Sequence, residues 1–501
     1  MKALLAGNDV LLYSQDVAKA KILIKAAVAD GRISEKEIDR RVKKILRAKY
    51  WSGLNEYRPI NTYKLVERLD TPETESIIED LYADAMTVAV NKGNLLPFKN
   101  LDLTSFASLS IGDEGKDFKK YLSKYAKFEH FSIDKAANET THYNTMKQLE
   151  DFDVVVVGVM GVTNSPSRKF GVSPSDVQFI KDLAKRQKVV TVLFGNAYAV
   201  FAYENNAVTQ EMAPQILFGA RDAKGILPVT VNGEFSHGVG GYMKSINRLS
   251  YGTPESVGLD GKILDKIDAV AEKAIRIQAT PGANVLVVKN GKVVFERSYG
   301  SLEYKSSPAM NSETVFDLAS ITKVLATTQA VMFLESRGEL DMRHSLGDYL
   351  PELKGTNKGK MVLSDVMAHE AGLIAYIPYY ARTVEAGQWR GDYYKPMSSV
   401  GFTRPVSNDM FGMDALRDSI WHWTVESKIT PIPRGASKHA YVYSDLTMYL
   451  MQAVVERVVN QPLETFMDQN FYAPLGLSTM TFNPALKMPI NNIAPTENDI
   501  T

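Results

Sequence analysis

The stretch VFDLASITKVLATTQAVMFLESRG, residues 315–338, carries the pattern on which the fold of this chain depends. Ser320 stands three residues ahead of Lys323, where an apolar run with helical period begins, and Gly338 follows that run as a helix C-terminal signal. Positions i and i+3 share one face of a helix, so the two side chains are predicted to point the same way. The pair is either a nucleophile with its activator or two polar positions on an ordinary helix, because Ser-x-x-Lys also occurs by chance.

Composition and charge limit the classes of protein to which the chain can belong. It has 501 residues, 45% of them hydrophobic and 23% charged, with 58 basic and 58 acidic side chains. This length suits two to four domains of an ordinary globular protein, and the balanced charge gives no reason to expect nucleic acid or an anionic membrane as a partner. No apolar run reaches the roughly 18 residues of a transmembrane helix. The opening residues lack the apolar core of a signal peptide, so none is predicted.

Cysteine and histidine usage removes several kinds of site. The chain has no cysteine, which excludes disulfides, thiolate zinc sites and cysteine nucleophiles. Its seven histidines show no metal-ligand spacing, so neither a metal nor a cofactor is predicted. His369 is interpreted as a buried hydrogen-bonding residue.

Hydrophobic patterns in the first half predict helices alternating with strands. Residues 1–55 contain one strand pattern, NDVLLYS, and two helical patterns, the second opening with a capping box at Ser34 and Glu37. Three later runs are predicted to be strands: FASLSIG, DVVVVGVMG and KVVTVLFGN. The last two are apolar on both faces, as parallel strands covered by helices are. Helical patterns separate or follow them in SPSDVQFIKDLAKR and TQEMAPQILFGA, which predicts an α/β layered domain. Residues 236–254 are rich in Gly and Ser and are predicted to be a linker.

The second half begins with a different pattern. A helix, GKILDKIDAVAEKAIRIQ, precedes two alternating strands joined at Asn290-Gly291, which is the strongest short hairpin signal. The helix that carries Ser320 follows, and another is predicted around LSDVMAHE. A long aromatic-rich region from about 374 to 435 shows no clear elements.

Three segments of this half resemble the serine β-lactamase and penicillin-binding-protein superfamily, in its class C β-lactamase, DD-peptidase and esterase branch. The first is the opening stretch with its continuation to Leu353, whose Ser-x-x-Lys is similar to the motif that opens the family's central helix. The second, AYVYSDL at residues 440–446, resembles the Tyr-x-Asn motif, and the third, MVLSDVMAHEAGL, matches the segment where relatives have His-Thr-Ser-Gly-Leu. Their order along the chain favours the catalytic interpretation of the serine and lysine.

The resemblance implies a role for each matching residue. Ser320 corresponds to the nucleophile that accepts the acyl group, Lys323 to its hydrogen-bonded activator, and Tyr443 to the general base or proton shuttle. A tyrosine suits that role only beside cations that lower its pKa of about 10. The oxyanion hole would use the backbone N–H of Ser320 and a second N–H from a strand.

The chain departs from the family pattern in two places. Asp445 stands at a substrate-binding position where β-lactamases and many peptidases have asparagine, and a carboxylate there stabilises protonated lysine and repels substrate carboxylates. This departure favours an esterase or peptidase-like hydrolase over an efficient β-lactamase. The third family motif, Lys-Thr-Gly or His-x-Gly, is not found, and the chain ends 58 residues after Tyr443, so the domain is expected to be incomplete at its C-terminus.

Aromatic side chains between residues 374 and 435 are candidates for a pocket wall. Tyr376 and Trp389 are the candidate substrate-binding residues among them. Packing of a long covering loop explains these aromatic residues equally well.

Residues 1–235 resemble glycoside hydrolase family 3. The segment ALLAGNDVLLYSQDVAKAKILIKAAVADGRISEKEIDRRVKKILRAKYWSGL is similar to the last strand and helices of that family's catalytic barrel, and LYADAMTVAVNKGNLLPFKN to the start of its α/β sandwich. The resemblance implies a parent β-N-acetylglucosaminidase or β-glucosidase, of the type fused to a β-lactamase-like domain in some bacteria. The family's two catalytic carboxyl groups do not lie in the part present, so no glycosidase activity is expected here. Asp9 is interpreted as structural or substrate-lining.

These patterns together predict a multidomain protein of the α/β and α+β classes. Its parts are a C-terminal piece of a (β/α)8 barrel in residues 1–60, an α/β sandwich in 80–235, a linker in 236–254 and a partial β-lactamase-like domain in 255–501. The predicted function is a serine acyl-hydrolase joined to part of a β-N-acetylhexosaminidase-type glycosidase, acting on a small-molecule, glycan or peptidoglycan-derived substrate in bacterial cell-wall or aminosugar turnover.

The alternative is a family 3 β-N-acetylhexosaminidase in the intact parent, carrying a non-catalytic β-lactamase-like module. The resemblance favours a periplasmic or extracytoplasmic location for the parent. The oligomeric state is left open by the sequence.

Overall fold

The computed structural model describes residues 2–163, 165–195, 204–231, 235–304, 308–407 and 410–496, and the chain divides into two compact units, residues 1–71 and 72–501. The first unit is helical, with α1 (Lys2–Leu5), α2 (Val17–Ala29), α3 (Glu35–Trp51) and α4 (Leu65–Leu69). Helix α3 begins as predicted, because Ser34 Oγ accepts the N–H of Glu37 at 3.2 Å. The Glu37 carboxylate binds Arg40 and Arg41, each at 2.8 Å, so only the serine half of the capping box forms.

The strand predicted at NDVLLYS is wrong. Residues 8–14 have no strand conformation, and Val10, Leu12 and Tyr13 are exposed. A strand needs a neighbour to pair its N–H and C=O groups, and the described residues of the first unit provide none. In the described residues, the barrel piece predicted for residues 1–60 therefore consists of helices without the expected strand.

A parallel sheet of four strands forms the centre of residues 72–235. Its strands follow the order β2-β1-β3-β4 and are β1 (Phe106–Ile111), β2 (Phe128–Ile133), β3 (Val154–Val159) and β4 (Lys188–Leu193). Strands β1 and β3 are buried along their whole length, as central parallel strands covered on both faces are. Three of the four strands were predicted; β2, FEHFSI, was not, since its polar residues are exposed at the sheet edge.

Helices pack on both faces of this sheet, and they are α5 (Pro72–Ala85), α6 (Lys116–Ser123), α7 (Glu139–Gln148), α8 (Pro174–Leu183) and α9 (Ala207–Leu217). One apolar core includes Phe118, Phe194 and Met212, and the other includes Leu149 and Phe179. Two cores separated by one sheet make this part the α/β layered domain that the sequence predicts.

Residues 236–254, predicted to be a linker from their composition, pack against the layered domain. Arg248 Nη1 donates to the carbonyls of Phe98 and Phe218 at 2.8 and 2.9 Å. Strand β5 (Ser250–Tyr251) then pairs in parallel with a strand of the following part. Local composition does not reveal these contacts, because their partners are distant in sequence.

A small sheet opens the second half of this unit. After α10 (Gly261–Leu264) and α11 (Lys266–Arg276), strands β6 (Gly282–Lys289) and β7 (Lys292–Gly300) form the predicted hairpin. Asn290 and Gly291 have φ of +53° and +72°, the left-handed conformation that a two-residue turn of this type requires. Strand β7 lies between β5 and β6.

Helices form the rest of this part. A π-helical segment, Lys323–Thr328, continues into α12 (Gln329–Ser336), and further helices are α13 (Leu346–Tyr349), α14 (Leu363–Met367), α15 (Leu416–Glu426), α16 (Leu446–Val459) and α17 (Leu463–Met467). The aromatic-rich region contains short strands as well as α15, namely β8 (Val384–Glu385), β9 (Gln388–Trp389), β10 (Tyr394–Lys395), β11 (Arg404–Ser407) and β12 (Met410–Gly412). Leu334, Leu363, Val454 and Phe466 belong to one apolar core, which joins the segments that precede α12 and α16.

Candidate active site

Ser320 lies in a turn immediately before the helix. Ala319 has φ of +43°, an uncommon conformation for a residue with a Cβ atom, and its N–H is held by Asp317 Oδ1 at 2.8 Å. The Ser320 side chain is exposed to solvent. Its backbone N–H has no hydrogen-bond partner within the described part of the chain.

Lys323 contacts the serine hydroxyl and a carboxylate. Its Nζ is 2.9 Å from Ser320 Oγ and 2.8 Å from Asp445 Oδ1. Lys323 is the first residue of the π-helical segment, a local widening of the helix that recurs at functional sites. Burial lowers the pKa of Lys323, but hydrogen bonds to Asp445 and Tyr443 outweigh burial, so the pKa is raised overall. Lys323 is therefore protonated at neutral pH.

Tyr443 reaches the same two residues from the segment that precedes α16. Its ring lies 5.3 Å from Lys323 Nζ. Hydrogen bonds from Ser320 and Lys323 lower the pKa of the Tyr443 phenol against the opposing effect of burial. The structure thus brings together Ser320, Lys323, Tyr443 and Asp445, although more than a hundred residues separate the two segments.

The segment that contains Tyr443 and Asp445 is held by backbone contacts with residues 369–375. Val442 N–H donates to His369 O at 3.0 Å, and Asp445 N–H donates to Ala375 O at 2.8 Å. Ser444 Oγ, which is fully buried, donates to Ile374 O at 2.6 Å. These bonds orient Tyr443 and Asp445 toward the site while the serine between them faces the interior.

His369 lies beside Tyr443, and its role could not be inferred from the motif alone. The two rings are 4.9 Å apart, and His369 Nδ1 accepts the N–H of Ser444 at 3.2 Å. Because an N–H can only donate, this bond requires an Nδ1 without a proton and so favours the neutral imidazole. Burial, and next the positive charge of Lys323, lower the pKa of His369, which favours this neutral form.

The two aromatic residues predicted to bind substrate occupy different positions. Tyr376 is exposed and directly follows Ala375, whose carbonyl holds Asp445. Trp389 lies on β9 and packs edge-on against Tyr394, with their ring centroids 5.3 Å apart. This contact lies within the aromatic-rich region from 374 to 435. Sequence analysis missed Tyr449, one helical turn beyond Asp445 on α16; the i, i+4 spacing was the available signal.

The described residues contain no group of three or more metal-ligating side chains. In the same part of the chain no helix is long and apolar enough to cross a membrane.

Comparisons with known proteins concern mainly the second half. Residues 267–492 match the family model described as Beta-lactamase. The chain is 32% identical over 249 residues to an N-acetylmuramyl-L-alanine amidase of Bacillus subtilis strain 168, covering 46% of this chain and 49% of that protein. It is 28% identical over 253 residues to an Escherichia coli K12 protein provisionally named a D-alanyl-D-alanine carboxypeptidase, covering 48% of this chain and 51% of that protein. The chain thus spans about half the length of the curated relatives it matches.

Among solved structures, a D-alanine carboxypeptidase AmpC from Burkholderia cenocepacia aligns with a TM-score of 0.33 and 18% identity, covering 47% of this chain and 54% of that one. The resemblance of residues 1–235 to glycoside hydrolase family 3 stays a prediction.

Proposed function

We propose, on the premise that residues 267–492 are a β-lactamase-like serine hydrolase domain, that Ser320 attacks the carbonyl carbon of an ester or amide and carries the acyl group as an intermediate. The main support is the 2.9 Å contact between Lys323 Nζ and Ser320 Oγ, together with the hydrogen bonds that the Tyr443 oxygen accepts from both residues. An exposed hydroxyl with a cation and a potential base in contact is what nucleophilic catalysis by serine requires.

Tyr443, rather than Lys323, is the base in this proposal. The raised pKa of Lys323 keeps its ammonium protonated, so the lysine donates a hydrogen bond and cannot accept the serine proton. The lowered pKa of Tyr443 increases its phenolate fraction near neutral pH. Lys323 then stabilises the phenolate and the attacking oxygen by its charge.

Acylation begins when the Ser320 O–H proton moves to the Tyr443 phenolate as Oγ bonds to the carbonyl carbon. The resulting oxyanion can accept a hydrogen bond from the Ser320 backbone N–H, which has no partner in the described residues. When the tetrahedral intermediate collapses, the C–O or C–N bond breaks and Tyr443 gives its proton to the leaving alcohol or amine. Water then attacks the acyl-serine, Tyr443 accepts one water proton, and Ser320 regains that proton as the acid product leaves.

The substrate class that we propose is a peptidoglycan-derived amide or ester. The two relatives are named as an N-acetylmuramyl-L-alanine amidase and, provisionally, as a D-alanyl-D-alanine carboxypeptidase, and muramyl and D-alanyl groups are components of bacterial cell walls. The predicted family 3 segment would add an aminosugar-cleaving half to the intact protein. Both halves would then act on the same material.

Acylation of Ser320 by p-nitrophenyl acetate tests the proposal. Intact-mass analysis should show the added mass of one acetyl group, localised to Ser320, and Ser320→Ala should lose both the adduct and the nitrophenol burst. If the wild-type and Ser320→Ala proteins release nitrophenol at the same rate without an adduct, the domain is not a serine acyl-hydrolase. Release of chromophore from an aryl N-acetylglucosaminide would instead support the glycosidase alternative.

A further inference from the structure

The Lys323–Asp445 ion pair presents its negative member to solvent. The Lys323 side chain is 16% exposed and the Asp445 side chain 40% exposed. Asp445 Oδ1 binds Lys323, whereas Oδ2 has no hydrogen-bond partner in the described part of the chain. Of the two members of this pair, the carboxylate is therefore the more accessible to a ligand.

Two tyrosines stand close to Asp445 in the chain. Tyr443 precedes Asp445 by two residues, Tyr449 follows it by one helical turn, and both rings are substantially exposed. Burial raises the pKa of the Tyr449 phenol, and the Asp445 charge adds to that increase. Exposed Tyr376 lies next to the carbonyl that holds Asp445. A carboxylate at the start of a helix and an exposed aromatic ring one turn later are the two kinds of group that recognise organic cations.

A second cation limits where such a ligand would bind. Arg382 already lies over the Trp423 ring, 4.8 Å from its centroid, and Trp423 stacks on Tyr379 at 6.2 Å. Tyr379 in turn meets Tyr449 edge-on at 6.0 Å. A guanidinium thus occupies the Trp423 end of this aromatic group. Lys323 lies over the Tyr443 ring and binds Asp445 Oδ1, so Asp445 Oδ2 and the Tyr449 ring are the groups that a positively charged ligand would contact.

We infer that Asp445, with Tyr443 and Tyr449, forms a subsite beside Ser320 for a substituted ammonium group, so that the domain prefers acyl substrates carrying a positive charge. This inference rests on the proposed acyl-hydrolase function. An asparagine at position 445 would leave the Lys323 charge uncompensated, whereas the carboxylate makes the site one charge more negative and disfavours anionic substrates.

Two esters that differ only in charge measure the preference. One is the p-nitrophenyl ester of trimethylammonium butanoic acid, and the other is its carbon isostere, in which a quaternary carbon replaces the nitrogen. Each kcat/KM is divided by the rate of uncatalysed hydrolysis of the same ester. We expect the wild-type protein to favour the cationic ester about tenfold, with the preference decreasing as NaCl is added.

Asp445→Asn is the decisive variant, since it keeps the shape of the side chain and removes its charge. Its ratio for the two esters should fall to about one, and any general loss of activity cancels in that ratio. Asp418→Asn, an exposed aspartate on α15, is the matched control and should keep the wild-type ratio. If Ser320-dependent hydrolysis shows the same ratio in the wild-type and Asp445→Asn proteins, the subsite is absent although the proposed function stands.

Binding without turnover separates failure of the subsite from failure of the function. Choline and its neutral carbon isostere, a dimethylbutanol, are titrated into the wild-type, Ser320→Ala and Asp445→Asn proteins by calorimetry. We expect the first two proteins to bind choline at least about tenfold more tightly than the isostere and Asp445→Asn to lose this difference. Equal affinities in the wild-type protein overturn the inference, whether or not Ser320 is acylated.

Discussion

At the scale of single residues, Ser320 has two neighbours whose proton affinities are shifted in opposite directions. Lys323 holds its proton more tightly than a free lysine because Asp445 and Tyr443 bind its ammonium despite burial. Tyr443 holds its proton less tightly than a free tyrosine because Ser320 and Lys323 bind its oxygen. The pair can therefore exist as ammonium and phenolate together, the combination that general-base catalysis by tyrosine requires.

The first prediction concerns the Tyr443 hydroxyl. Tyr443→Phe keeps the ring beside His369 and removes the base, so kcat/KM for p-nitrophenyl acetate should fall about a hundredfold to ten-thousandfold. In the wild-type protein the activity should rise with pH through the pKa of Tyr443, which is lowered from the usual 10.0, and decline above the pKa of Lys323, which is raised from the usual 10.5. Steady-state rates across pH, corrected for hydroxide hydrolysis, provide the measurement. A Tyr443→Phe protein with a wild-type profile would show that another group is the base.

The second prediction concerns His369, a positioning residue that contacts Tyr443 through its ring and through the Ser444 N–H. His369→Leu removes the acceptor and should lower kcat more than tenfold, while His369→Gln, which retains an acceptor oxygen, should recover part of that loss. The pKa of His369 is lowered from 6.5, so its contribution to stability is present above pH 6.5 and lost as pH falls through the lowered pKa.

The control for His369 is the pH dependence itself. The acid limb of wild-type kcat should steepen as the pH falls through the lowered pKa of His369, whereas His369→Gln should keep only the decline that protonation of Tyr443 causes. Near-identical acid limbs in the two proteins would mean that His369 does not set the position of Tyr443.

At the scale of elements, a buried lysine connects α15 to the rest of the domain. Lys358 is completely buried, and its Nζ donates to Asn357 Oδ1, Val425 O and Ser427 O at 3.1, 3.0 and 2.7 Å. Residues 425 and 427 are at the C-terminal end of α15, where unpaired carbonyls and the helix dipole favour a cation. Helix α15 also holds Tyr379 through Thr424 at 2.6 Å, so this lysine supports the aromatic group near Asp445.

The third prediction is a loss of stability in Lys358→Met. The substitution fills nearly the same space but leaves Val425 O without its donor and removes one of the two hydrogen bonds to Ser427 O, which should reduce the free energy of unfolding by about 2 kcal/mol. Urea unfolding followed by tryptophan fluorescence measures the change. Lys360→Met, at an exposed lysine two residues away, should change it by less than about 0.5 kcal/mol. Equal effects of the two substitutions would contradict the structural role of Lys358.

At the scale of the whole second unit, carboxyl groups are buried where the layered domain meets the β7 hairpin. Glu79 is almost completely buried and accepts the Thr253 N–H at 3.1 Å. Burial raises the pKa of Glu211 to about 7, and the negative charge of Glu79 adds to this increase. The hydrogen bond from Tyr121 and the positive charges of Arg221 and Lys120 oppose it. The residues of this junction come from α5, α6, α9 and the segment after β5. The charge on Glu211 is therefore expected to affect how the layered domain packs against the hairpin.

The fourth prediction is a pH dependence centred on Glu211. Because its folded pKa is raised, the stabilisation that its neutral form provides is present below pH 4.5 and is lost as pH rises through about 7. Between pH 5 and pH 8 the wild-type protein should therefore lose up to about 3 kcal/mol of unfolding free energy relative to Glu211→Gln. Urea unfolding at several pH values measures the difference. Glu272→Gln, at an exposed glutamate on α11, should retain the wild-type dependence, and a parallel curve for Glu211→Gln would refute the assignment.

Local sequence patterns predicted the elements whose neighbours are close in the chain. The Asn290-Gly291 hairpin formed as expected because its turn and both strands are contiguous, and the buried strands β1 and β3 were recognisable from continuous apolar runs. The strand predicted at residues 8–14 failed for the opposite reason: an extended segment becomes a strand only when a second strand pairs with it. The packing of residues 236–254 also depended on partners far away in sequence.

The sequence by itself determined that Ser320 and Lys323 would be neighbours, because three residues along a helical segment leave little freedom in their separation. The resemblance to a family added the expectation that Tyr443 and Asp445 would join them. Only the tertiary structure decided that Asp445 takes one side of the Lys323 ammonium and exposes its other oxygen, and that His369 lies beneath Tyr443. Those arrangements depend on the shared packing of α12 and α16 and on the bonds from residues 369–375, and long-range packing of this kind leaves no local signal in a single sequence.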